Sequence, residues 1–201
     1  MDIVLGRHMR VLNINYREWK YHQKLRERLP ADLAAVFPTY SEPVLCDEKG
    51  WGILEELIVN ADGHPARLLL DEFEDMGDTA LALRIHAEAR ALLRRLALHS
   101  VCFFDFGNIL LQWTGPSTFR LRVADFEPTC RAFVPGLTHI PFYVRCKSRR
   151  RARRYLAVLQ NTLVAKGCDP DTFREPLPDH WLSHLPGTQP VLRLARRAGL
   201  F

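Results

Sequence analysis

Three observations predict an α+β fold for this chain of 201 residues. Residues 79–98 and 143–166 each repeat apolar side chains at helical spacing, and residues 13–29 do so over a shorter reach. Residues 109–124 read instead as a hairpin, with strands Ile109–Gln112 and Phe119–Ala124 around the turn Trp113–Thr118. A content of 47% hydrophobic and 25% charged residues is that of a globular chain able to bury a core.

The elements follow in order. In 13–29, NINYREWKYHQKLRERL, Tyr16, Trp19, Leu25 and Leu29 fall near one face. Asn13 or Asn15 is placed to cap that helix, and Pro30 to stop it. Pro43–Asp47 and Trp51–Val59 read as strands joined by the turn Asp47–Gly50, where Gly50 supplies a positive φ. Asn60–Pro65, NADGHP, is a loop. Leu68–Met76 is open between a short helix and an extended arm. Asp78 or Thr79 caps the long helix to Leu98, whose stripe is Ile85, Ala89, Leu92, Leu93 and Leu96, with Arg84, Glu88 and Arg95 off it.

After the 109–124 hairpin, Pro128–Pro141 is irregular. The helix Tyr143–Lys166 follows, basic at its start, apolar later through Tyr155, Leu156, Leu159 and Leu163, and ended by Gly167. The tail 168–190 reads as loop, and 190–201 as a terminal basic helix. The phenylalanines 103, 104 and 106 read as core packing.

Some chemistries are excluded by spacing. The five cysteines, Cys46, Cys102, Cys130, Cys146 and Cys168, form no CxxC pair, so free thiols are expected. His180 and His184 are four apart but hemmed in by Pro178 and Pro186 with no acidic or cysteine partner, which argues against zinc. No run approaches the roughly 18 apolar residues of a membrane span. MDIVLGRHMR has no apolar core for a secretory signal, so the expected location is the cytoplasm. The net charge is +5 and the excess is local: Arg145–Arg154, RCKSRRRARR, holds seven basic residues and no acid. Such a run is either a solvated face or a contact for phosphates, nucleic acid or an acidic surface.

Asn108 and Asp125 close the two ends of the central hairpin. As a loop Asn and a strand-end Asp they either cap backbone donors or place two oxygen donors side by side. LGRH at 5–8, the helix NYREWKYHQKLRERL, the segment GWGILEELIVNADGHPARLLLDEF, FGNILL, and VADFEPTCRAFVPGLTHIPFYVRCKSRRRARRYL together resemble the PhoP-regulatory-network YrbL-like family. That family is a bacterial branch of the protein-kinase-like superfamily, and the likeness covers roughly residues 6–160.

The resemblance implies a protein-kinase-like fold with a shortened N-lobe and a mainly helical C-lobe. Residues 1–60 would be the reduced N-lobe, with helix 13–29 and hairpin 43–59, and 61–201 the C-lobe carrying the metal-site-like hairpin 108–125. Asn108 and Asp125 then fall where kinases keep two magnesium ligands. Glu18 falls where a helix glutamate pairs with the phosphate-binding lysine, and the candidate for that basic residue is Arg10. Arg does not reproduce the compact charge of Lys.

In the superfamily the catalytic base lies five residues before the Asn, and here that residue is Phe103, which cannot accept a proton. Asp105, three before Asn108, is the one candidate to rotate in as base or third metal ligand. A glycine-rich hairpin with a lysine strand needs about 25–30 residues before the helix, and about a dozen precede it here. The expectation is a pseudokinase-like regulatory protein that binds nucleotide, ATP with Mg, weakly and uses its C-lobe for a protein partner. The alternatives are a small ATP/Mg-dependent phosphotransferase with an unknown acceptor, and nucleic-acid binding through the basic helix 145–154 with Tyr143 and Tyr155 nearby.

Overall fold

A computed structural model describes residues 14–46, 50–101, 106–124 and 141–173. These residues form five α-helices and two small antiparallel sheets, an α+β arrangement. Helix α1 runs Ile14–Arg28, one residue short of the expected end, and the chain past Pro30 turns at once into a one-turn helix α2, Ala31–Ala34. Pro30 stops α1 yet starts α2, because its carbonyl accepts from the Leu33 and Ala34 amides at 3.0 and 2.8 Å. Asn15 is no cap: it lies within α1, and its Nδ2 donates to the Trp51 carbonyl at 2.8 Å. Asn13 lies outside the described residues.

Strands β1, Val44–Cys46, and β2, Gly50–Gly52, pair antiparallel, and Gly50 has φ +85°. Residues 47–49 of the expected turn lie outside the described residues. The expected strand 51–59 is cut to its first two residues. Val44 pairs with Gly52, whereas the next bridge, Tyr40 with Glu55, is displaced by one residue. That slip is a bulge-like break, and it falls at Pro43, which has no N–H to give the ladder. Beyond it, Ser41 and Leu54 exchange bonds at 2.8 and 3.0 Å, one of them through the serine hydroxyl, and the Glu56 amide reaches the Thr39 carbonyl at 2.8 Å.

Asn60–Pro65 is a loop as expected, with Gly63 at φ +86° and its ends drawn together by the Val59–Pro65 bridge. Asn60 fixes it to the sheet by accepting the Trp113 amide at 2.8 Å. Strand β3, Arg67–Leu68, leads into helix α3, Leu69–Asp75, so the arm-or-helix alternative resolves into both. Asp78 caps α4, Thr79–Leu98, through Oδ1, which accepts from the Ala80 and Leu81 amides. The whole predicted stripe of α4 is buried, and His86 is buried with it.

β4, Ile109–Trp113, and β5, Phe119–Val123, form the central hairpin, and β3 pairs the other side of β4. Helix α5 runs Pro141–Ala165, and Gly167, at φ +89°, turns the chain away from it. The Lys166 ammonium then donates to the Glu74 and Met76 carbonyls at the end of α3, at 2.8 and 2.5 Å. A short 3-10 turn, Pro170–Phe173, follows. The expected loop 174–190, the expected helix 190–201, and the region 128–140 lie outside the described residues.

A single buried cluster links Leu25, Leu29, Leu33 and Phe37 to the stripes of α4 and α5 and the inner face of β4–β5. Among the described residues no helix is long and apolar enough to cross a membrane. Cys46, Cys146 and Cys168 are free thiols, and no group of three or more metal-ligating side chains forms among the described residues.

Candidate functional site

The central hairpin positions the candidate site. Ile109, Leu111, Leu121 and Val123 point to the core, which fixes its register: a one-residue slip would exchange these for Leu110, Gln112 and Arg122. The ladder runs from Trp113 against Phe119 to Ile109 against Val123. It then extends one rung further, because the Ala124 amide donates to the Asn108 carbonyl at 2.9 Å. Asn108 ends the 3-10 turn Phe106–Asn108 and is half-buried. Asp125, the next residue after Ala124, lies outside the described residues, as do Arg10, Asp105 and Phe103.

Glu18 is half-buried on α1 and accepts the Tyr40 hydroxyl at 3.5 Å; the same hydroxyl lies 3.4 Å from the Glu55 carboxylate. One turn further along α1 sits His22, fully buried, its ring 4.4 Å from that of Tyr40 and 6.1 Å from that of Phe37. Neither ring nitrogen has a hydrogen-bond partner among the described residues. Burial, aided by the Arg26 charge, lowers its pKa to about 4, so the imidazole is neutral. His22 was missed from the sequence, although it shares a helix face with Glu18, Leu25 and Leu29 at steps of three and four, the signal that could have found it.

A second missed set joins the α1–β2 region to the hairpin. The Val123 amide donates to the Val36 carbonyl at 3.0 Å. Arg122, beside it, donates to the Val36 and Phe37 carbonyls at 3.3 and 3.5 Å and to Glu56 at 3.1 Å. Glu56 also accepts the Thr39 amide and hydroxyl at 2.9 and 3.0 Å. Desolvation pushes the Glu56 carboxyl up, but Thr39 and Arg122 together outweigh it and hold the pKa below its ordinary value. No local motif marks this clamp, since its members are up to 86 residues apart.

The basic run is also placed. Val144, Ser148 and Ala152 turn inward, while Arg150, Arg151, Arg153 and Arg154 are exposed. Arg145 donates to the Ser100 hydroxyl at 2.8 Å, and the Lys147 ammonium lies 5.7 Å from the centre of the Tyr143 ring. The start of α5 is thereby partly spent on its own fold. Compared with family models, curated proteins and solved structures, the chain matches none of them.

Proposed function

We propose that the protein is a kinase-like regulatory module that binds a nucleotide with Mg weakly at the end of the β4–β5 hairpin and does not transfer phosphate. One observation carries this reading: the Asn108–Ala124 rung, which brings the chain to within one residue of Asp125 directly beside Asn108. An amide oxygen and a carboxylate are hard donors suited to Mg, which takes oxygen ligands and keeps several waters. The order of elements supports the same reading: a helix with Glu18, a small hairpin, a short and a long helix, then the Asn-to-Asp hairpin. Phe103 in the base position separates binding from transfer, because a phenyl ring cannot take a hydroxyl proton.

The test is a thermal-shift titration with ATP and Mg on wild type, Asn108→Ala and Asp125→Ala. Expected is a wild-type shift of a few degrees that both variants lose, with no phosphate released over hours. A ligand at about 100 times its Kd adds about 2.7 kcal/mol, so saturating ATP must register if the site exists. No shift in any of the three removes the nucleotide reading. A shift with turnover that Asp105→Asn abolishes replaces it by the phosphotransferase. A partner protein, if one docks here, is a separate property of the outer faces.

A further inference from the structure

Among the described residues β5 is an edge strand, bonded to β4 on one side. Its bonds alternate. Ala124 to Asn108 and Thr114 to Thr118 are bonded rungs, at 2.9 Å each. The amides and carbonyls of Phe119, Leu121 and Val123 therefore point away from β4. Val123 gives its outward amide to Val36. Phe119 and Leu121 have no partner for theirs among the described residues. These groups open into a groove of about 640 Å³, whose far wall is α4.

The groove is charged unequally. Arg84, Arg95, Arg120 and Arg122 line it against Asp32 and Glu88. Arg95 is held by Asp32 at 2.6 Å, and Arg122 by Glu56. Arg120 is exposed, and the Arg84 guanidinium lies 5.9 Å from the centre of the Phe119 ring; neither has a carboxylate partner among the described residues. A free strand edge and two arginines without a carboxylate partner thus face the same space.

We propose that this groove takes an extended acidic segment of a partner protein, which adds as a fourth strand along the outer edge of β5. Only a peptide offers alternating donors and acceptors to match the edge, so main-chain bonds give the grip and arginines select acidic side chains. A nucleic-acid backbone has acceptors for the arginines but no row of donors for the Phe119 and Leu121 carbonyls. A second copy of β5 would bring Arg120 and Arg122 against their own like, which is unfavourable across strands. From Phe119 to Leu121 the open edge spans about 7 Å at strand rise, room for two or three residues before the Val36 contact closes it.

The probe is a fluorescein-labelled, acetylated heptapeptide of alternating valine and glutamate, titrated by anisotropy with the full chain at low salt. Expected is saturable binding. It should weaken about tenfold with Arg84→Glu or Arg120→Glu, the factor worth roughly 1.4 kcal/mol, and vanish when alternate peptide amides are N-methylated. Arg120 is exposed, so its variant should keep the wild-type melting temperature, and Arg84→Gln supplies a milder second arm. No saturation up to millimolar protein overturns the proposal, as does equal binding of a control heptapeptide of alternating valine and lysine or of the N-methylated one. Displacement of the peptide by an equal concentration of oligothymidine overturns it in favour of nucleic acid. Concentration-dependent dimerisation in sedimentation that excludes the peptide overturns it in favour of a second copy.

Discussion

The two hairpins of this protein are built from similar residues and end differently. β4–β5 pairs five residues on each strand and sets Ile109, Leu111, Leu121 and Val123 against α4 and α5. β1–β2 pairs three, and its Val44 and Leu45 are 48% and 56% exposed. Both carry apolar residues and a glycine-containing turn. What separates them is the second layer: a two-stranded ribbon is marginal in water unless a face is buried. The first hairpin instead depends on point attachments, Asn15 to Trp51 on one side and Tyr40 to Glu55 on the other.

The sharpest way to break this contrast is one truncation in each. Leu111→Ala empties a fully buried site and should cost about 2–5 kcal/mol in urea unfolding. Leu45→Ala removes the same atoms from an exposed strand and should stay within about 0.5 kcal/mol. Equal costs would mean that β1–β2 has a packed face after all.

The clamp between the regions comes next. Arg122 is 12% exposed and serves Val36, Phe37 and Glu56 at once. Arg122→Met should cost about 1–3 kcal/mol, because it keeps the stem but strands the acceptors. The folded-state pKa of Glu56 is depressed below 4.5. Its contribution is therefore present above that value and is lost as the pH falls through the depressed one. Urea midpoints of wild type should drop below about pH 4.5, and those of Glu56→Gln should drop less.

The same contrast decides what could be read from sequence. The stripe of α4, its Asp78 cap and the β4–β5 alternation were legible because a long periodicity and a buried face specify each other. The length of β2 was not: WGILEELIV has the composition of a nine-residue strand, and Pro43 on the opposite strand, not any residue within it, sets the break. At the candidate site Asn108 was placed correctly at the hairpin mouth, since the strand pattern counts residues back to it. Arg122, Thr39 and Glu56 were silent, because a clamp made between strand β5 and two distant loops leaves no spacing to recognise.

His22 gives the smallest effect and the finest test, because it sits between the two regions on the ring of Tyr40. Its folded pKa of about 4 lies below the ordinary 6.5, so the unfolded chain binds the extra proton first. Stability tied to His22 is thus complete above about pH 6.5 and declines as the pH falls from there toward 4. By about pH 5.5 the loss amounts to roughly 1.4 kcal/mol. His22→Leu should keep the packing against Phe37 and flatten the profile between pH 6.5 and 4.5, leaving the lower-pH fall that belongs to Glu56. The two windows separate the contributions. If the Leu variant keeps the full slope above pH 4.5, His22 is not the group that titrates there.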